Sequence, residues 1–464
     1  MIRLARLCAL SPALLLISCG GDSGSRPETG GETGVSTSLT TTTSASATDS
    51  DSMSTTDSDS MSATDSDSMS ATDTDPGTDS DSMGTGASGG DPKWDLGIIP
   101  DASTNCNELG GGDETKSYIW IANSSQSTVS KINTVTLQEE ARYSTRDTPG
   151  NPSRTSVSLS GNAAVANRSG GVVKFISNTE ECDEMANGQP GLQTSQGAND
   201  VLAFGQDDCM SWYTPFNYTT QRPLAWGAGE FNQGTCQYEN EKLWTAGNVG
   251  NAEVVLMDGD TGVVEETVII PNVVGWAGLY GGAVDNQGNF WTVDHNWNGP
   301  STLVRVNDDD FTYDTWPVTG QVHYGLAVDT EGRAWLCGSG GASRFDPQNE
   351  TWTHLAPQNG GSALGGCMED AEGVLWNSRY PDPVLVGIDT DTVQIVQQIN
   401  IPSYVHGVSI DFEGNIWGVE FGGDEAFRIN PETLQIDTVG GLVGAYTYSD
   451  MTGFALSSAG VPSG

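Results

Sequence analysis

Positive charge is scarce in this 464-residue chain: 18 Lys and Arg stand against 61 Asp and Glu, a formal net charge of -43. Such a surface repels a polyphosphate instead of releasing its counterions, which argues against nucleic acid as a partner. Long apolar runs are also missing. No stretch reaches the roughly 18 residues that a membrane-crossing helix needs, which excludes a helical integral membrane protein. The chain has no Cys-x-x-Cys pair, no phosphate-binding loop, no dinucleotide fingerprint and no nucleophile motif, so the commonest cofactor and covalent chemistries have no foothold. What is plentiful is Gly, with 59, and Trp, with 13, in a chain only 17% charged. That mixture suits many short strands and tight turns and speaks against a helical bundle.

The N-terminus carries an address. Arg3 and Arg6 precede an apolar stretch from Leu7 to Ile17 that ends in Leu16-Ile-Ser-Cys19, the basic start, short apolar core and small residue of a secretory signal. The last four residues resemble the lipobox of bacterial lipoproteins, which implies a signal peptide over 1–18 and a lipid on Cys19. Gly20 rather than Asp follows, and by analogy this favours an outer-membrane anchor, at the periplasmic face or the cell surface. Residues 19–92 are Ser, Thr, Asp and Gly with almost nothing to bury, and an eight-residue unit beginning at Thr48 recurs at Thr56 and Thr64. Such composition does not offset chain entropy, so a disordered acidic linker is expected. As a neutral coil it would reach on the order of 45 Å.

From residue 93 onward one pattern returns. Gly281-Gly-Ala-Val-Asp-Asn-Gln-Gly-Asn-Phe-Trp291 is repeated from Gly325 to Trp335, from Gly366 to Trp376 and from Gly407 to Trp417. Each copy reads as a strand, a turn with Asp and Gly in set places, and a second strand opened by Trp. A third strand follows, as at Leu303–Asn307 and Phe427–Pro431, and then a fourth. Four antiparallel strands every 41 to 47 residues mark a β-propeller blade. Trp120, Ala164, Trp244, Trp291, Trp335, Trp376 and Trp417 count seven blades. The expected fold is therefore an all-β, seven-bladed propeller over 93–464, monomeric and closed by a C-terminal strand at Thr452–Ser457. The spacing breaks once, which places an insertion at about 176–222. Six cysteines remain after Cys8 and Cys19 are set aside. In an exported chain they imply disulfides, with 15 pairings open and Cys337 placed to meet Cys367.

Candidate site residues gather at one end of the blades. Counting from the turn at Asp411 puts His406 and Glu420 together at the open edge of their hairpin. The same count puts Tyr280, Tyr324, Gly365 and Thr452 at the level of His406, and Asp294 and Arg379 at the level of Glu420. His295 and His323 adjoin this rim. Asp285, Asp329 and Asp411 read as turn residues that bond their own backbone, and the repeated Trp reads as packing between blades.

These repeats resemble the streptogramin (virginiamycin B) lyase family, and more loosely the NHL-type propellers, over roughly 116–457. The sharper match is His406-Gly-Val408 with Trp417-Gly-Val-Glu420. The resemblance implies magnesium, or calcium as a similar hard cation, held by His406 and Glu420, with His406 catalytic. It departs at Tyr404, where an acidic residue belongs, and at Gly365, where a His belongs. Two functions are expected from different classes. One is a tethered propeller that binds a small molecule, glycan or protein at its rim, through Arg379, His323, Tyr324, Asp294 and His295. The other is a metal-assisted elimination from an ester.

Overall fold

The structure, a computed structural model, describes residues 117–459 apart from 274–277, 297–299, 323 and 360–363. The expected signal peptide, lipidated Cys19 and linker, together with His323, lie outside the described residues.

The chain folds as seven sheets arranged as propeller blades. Blade 1 comprises Tyr118–Asn123, Thr128–Asn133 and Glu139–Ser144, and blade 2 comprises Pro152–Val157, Ala163–Asn167, Val172–Phe175 and Met210–Thr214. Blade 3 comprises Gln221–Trp226, Lys242–Val249, Asn251–Asp258 and Val264–Ile270. Blade 4 runs from Leu279–Val284 to Tyr313–Pro317, blade 5 from Gly325–Val328 to Thr351–Leu355, blade 6 from Cys367–Glu369 to Gln394–Asn400, and blade 7 from Val405–Ile410 to Ile436–Gly440. Neighbouring strands in each blade are antiparallel and follow chain order. From blade 2 to blade 7 the inner strands lie side by side around a central channel.

The repeated residues explain the blade. Trp120, Trp244, Trp291, Trp335, Trp376 and Trp417 are all buried to 1% or less. Where the motif is complete, the turn Asp receives the indole N–H: Asp285 from Trp291, Asp329 from Trp335, Asp370 from Trp376 and Asp411 from Trp417, at 2.7–2.8 Å. The same carboxylates accept the amides two and four residues on, as at Asp411 with Glu413 and Asn415. One carboxylate thus closes the turn and satisfies the buried indole, which is why the spacing between Asp and Trp does not vary.

Closure differs in place from the expectation. Residues 444–451, not Thr452–Ser457, run beside the first strand of blade 1: Ala445 bridges Asn123, Tyr446 N donates to Ala122 O at 3.1 Å, and Trp120 N donates to Met451 O at 2.9 Å. Between those bonds the closing strand carries more residues than its partner, a bulge that turns Tyr448 into the channel. The segment also joins the two blades on either side. Thr452 Oγ1 donates to Ile410 O in blade 7, and Val157 N of blade 2 donates to Asp450 O. The alternating stretch after it becomes a short helix, Phe454–Ala459. Gly453 takes φ +86°, and the Asp450 carboxylate accepts the Gly453 and Leu456 amides at 2.9 Å, capping the helix before a strand can start. Gly407 has the other constraint of closure: a Cβ there would collide with Thr447 O.

The broken spacing has two causes rather than one. An insertion between the third and fourth strands of blade 2 ends at the Cys182–Cys209 disulfide, and a hairpin, Glu230–Asn232 with Gln237–Glu239, interrupts blade 3. Residues 210–214 and 221–222 belong to blade strands. Cys337 and Cys367 meet in a disulfide between blades 5 and 6, and Cys236 is also disulfide-bonded. Among the described residues no helix is long and apolar enough to cross a membrane.

Candidate functional site

One mouth of the channel is built from the first residues of the inner strands. In blades 2 to 7 the residue opposite the buried Trp or its equivalent sets the level: Ser156, Ala225, Ala283, Ala327, Met368 and Ser409. Stepping back from these toward the mouth reaches Ser153, Arg222, Tyr280, Tyr324, Gly365 and His406. The closing strand adds Tyr446 and Tyr448.

These side chains form a connected polar cluster. The hydroxyls of Tyr280, Tyr324 and Tyr446 make a triangle, with Tyr280 to Tyr324 at 2.6 Å and each to Tyr446 at 2.9 Å. His406 Nε2 lies 3.1 Å from the Tyr324 hydroxyl, and its Nδ1 lies 2.8 Å from the Tyr404 hydroxyl. A neutral imidazole donates through one nitrogen and accepts through the other, so one tyrosine gives a proton to the ring and the other takes one. Burial, followed by the charges of Arg154 and Arg168, holds His406 well below the ordinary imidazole range. It is therefore neutral at pH 7.

Three guanidinium groups surround this cluster. Arg154 stacks on the Tyr448 ring at 3.4 Å and lies 5.1 Å from the Tyr280 ring centroid; Arg168 sits 4.0 Å from that of Tyr446, and Arg222 4.9 Å from that of Tyr280. Cation–π attraction places them there. Burial, and then Arg222, lowers Arg168 to about 10, which leaves it protonated. The phenols respond unequally. Burial first, and neighbouring phenols second, raise Tyr280 and Tyr324. For Tyr446 burial also opposes ionisation, but Arg154, Arg168 and the hydroxyls of Tyr280 and Tyr324 outweigh it and bring the phenol below its usual value. Tyr446 is thus the most acidic hydroxyl of the triangle.

The expected pair of His406 and Glu420 shares a hairpin end but not a contact. Val405 pairs with Glu420 and Gly407 with Val419, so His406 is the extra residue of a bulge. Its ring turns to the tyrosines. Glu420 instead accepts from Ser403 Oγ and from the amides of Asp424 and Glu425, closing its own turn. Of the other expected residues, Tyr324 stands at the centre. His295 packs against it edge-on, with ring centroids 5.0 Å apart, and against Tyr280 at 4.9 Å. Asp294 is buried below and pairs with Leu279 through the backbone. Arg379 faces outward to Asp382 at 3.2 Å and Gln398 at 3.0 Å. Thr452 lies away from His406, beside Ser409 and Ile410 further along the inner strand. Among the described residues no group of three or more His, Cys, Asp or Glu is arranged to hold a metal ion.

Sequence reasoning missed Arg154, Arg168, Arg222, Tyr446 and Tyr448. One signal was available: Arg154 stands where Gly281, Gly325, Gly366 and Gly407 stand in other blades. A long cation in a column of glycines fills the space that the glycines leave at the channel axis. Beyond the mouth, the channel narrows to a cavity of about 50 Å³ lined by Leu224, Leu326, Met368, Tyr448 and the acids Glu369 and Asp450. Burial raises those acids to about 7 and about 6. The two ends of the channel thus differ in sign.

No protein-family profile matches the chain, and no curated protein matches it. Among solved structures it is similar to a catalytically inactive virginiamycin B lyase from Staphylococcus aureus with quinupristin, at 14% identity, over 62% of this chain and 83% of that one, with a TM-score of 0.44. It is also similar to a protein from Lactobacillus plantarum, at 13% identity over 71% and 98% of the chains with a TM-score of 0.49. A functionally unknown protein from Desulfotomaculum acetoxidans matches at 9% identity over 72% and 99%, with a TM-score of 0.48.

Proposed function

We propose that the chain is a cell-envelope lipoprotein whose propeller binds a ligand, a small molecule, glycan or protein, at the mouth lined by His406 and the tyrosines. One observation carries this reading: side chains from blades 3, 4, 5 and 7 and from the closing strand converge on a single aromatic and polar floor, formed by Arg222, Tyr280, Tyr324, His406 and Tyr446. The disulfides fit an oxidising compartment outside the cytoplasm. A thermal-shift screen of soluble sugars and organic acids tests it. Hits should lose their shift in Tyr324→Phe or His406→Ala, and a set of hits indifferent to both changes refutes the mouth as the site. The anchor is tested separately: Cys19→Ser should no longer incorporate labelled fatty acid.

Elimination assisted by magnesium or calcium at His406 and Glu420 is the second reading, and the shared hairpin end of the two residues favours it. The donor set does not fit it. Both ring nitrogens of His406 and both carboxylate oxygens of Glu420 are already hydrogen-bonded, so a cation would have to break those bonds first. Calorimetry with magnesium, manganese and calcium decides: heat of binding lost in Glu420→Gln supports the metal, and no heat from any of the three removes it.

A further inference from the structure

We propose that the mouth is an oxyanion receptor, in which Arg154, Arg168 and Arg222 close on a carboxylate or phosphate group of a small ligand. The inference rests on the mouth being the binding site and names the chemistry bound there.

Three arginines gather at the mouth with no acid among the described residues beside them. Acids outnumber bases 61 to 18 in this chain, so a base without an acidic neighbour needs a reason. Five arginines elsewhere pair with carboxylates: Arg142 with Glu139, Arg305 with Asp314, Arg333 with Asp329 and Asp391, Arg379 with Asp382, and Arg428 with Asp437, while Arg146 and Arg344 stand apart from one another and donate to backbone carbonyls. Among the described residues no carboxylate lies within ion-pair distance of Arg154, Arg168 or Arg222. Their partners are neutral. Arg154 donates to Ser153 O at 2.7 Å, Arg168 to Asn151 Oδ1, and Arg222 to Thr220 Oγ1 at 3.2 Å.

Burial sharpens the case. Arg154 is 1% exposed, and its Nε, like that of Arg168, is buried without a hydrogen-bond partner among the described residues. A buried guanidinium with spare donors is costly unless an anion takes them. Three guanidinium groups round one aromatic cluster also repel one another, and a shared oxyanion relieves that repulsion and takes the spare donors of Arg154 and Arg168. The guanidinium fork matches two coplanar oxygens, and the hydroxyls of Tyr280, Tyr324 and Tyr446 add donors of the right polarity. Phe421, 51% exposed and 5.3 Å from the Tyr446 ring centroid, offers an apolar wall to the rest of the ligand.

Calorimetry at low ionic strength with citrate, galacturonate and inorganic phosphate tests this on the full chain. At least one should bind the wild type with one site per chain. Arg168→Gln and Arg222→Gln, both half-exposed and so the least disruptive of the three changes, should each weaken that binding about tenfold. Arg305→Gln, paired with Asp314 on an outer strand, should leave it unchanged. Preference for citrate and galacturonate supports a carboxylate ligand, and preference for phosphate supports a phosphorylated one. Absence of binding by all three, or equal binding by both mouth variants and the wild type, overturns the proposal. A neutral sugar that binds at the mouth while all three anions fail overturns this inference and leaves the binding reading standing.

Discussion

Ending the chain at Val443 should unfold the propeller, because the lost segment is the inner strand of blade 1 and the joint between blades 7 and 2. The removed residues include Tyr448, Met451, Phe454 and Leu456, each 6% exposed or less. At about 1.5–3 kcal/mol for each large apolar side chain buried, the loss is about 6–12 kcal/mol. A compact unfolded chain lowers that by roughly a third, which is still comparable to the ~5–15 kcal/mol of an ordinary fold. The backbone loss adds to it: Ser124, Trp120 and Val157 each lose the carbonyl that accepts their amide. The graded form of the experiment keeps a folded protein. Met451→Ala should cost about 2–5 kcal/mol, whereas Val396→Ala, 56% exposed on an outer strand, should cost less than about 0.5 kcal/mol. Urea denaturation followed by Trp fluorescence measures both. A truncated chain with the wild-type midpoint, or equal costs for the two substitutions, would refute closure by this segment.

Other consequences are open to the same assay. Replacing Cys337 and Cys367 by Ser opens a crosslink spanning 30 residues between blades 5 and 6 and should lower stability by about 3–4 kcal/mol. Asp329→Ala strips the acceptor from the Trp335 indole and from the Glu331 and Arg333 amides, and should cost more than about 2 kcal/mol by leaving buried donors unmade. Glu369 sets a pH dependence. Burial raises its folded-state value to about 7, so the fold holds a proton that the unfolded chain releases near 4.5, and stability must fall as pH rises between those values. Glu369→Gln should therefore match the wild type near pH 4 and exceed it by on the order of 3 kcal/mol at pH 8. A constant difference across that range would show that Glu369 is not buried as described.

Some of this was legible from residue order alone and some was not. The recurrence of Gly, Asp, Gly and Trp determined seven blades and four strands each, because the period of a repeat and the chemistry of a turn are local properties. The Asp at the turn and the Trp six residues later are a self-contained unit, bonded within one hairpin. The common level of Tyr280, Tyr324 and His406 also followed, since strand register carries over from blade to blade. Side-chain direction did not. A single bulged residue turned His406 away from Glu420, and a bulge leaves no mark in a count of residues. The arginines were hidden for other reasons. Arg222 shares the level of His406, but the hairpin at Glu230–Glu239 disrupts the spacing that would have aligned it. Tyr446 reaches Tyr280 across 166 positions of chain, a distance that only a closed ring removes. The sequence by itself determined the blades; the closure of the ring decided which side chains face one another across the channel, because that pairing depends on where the last strand enters the first blade.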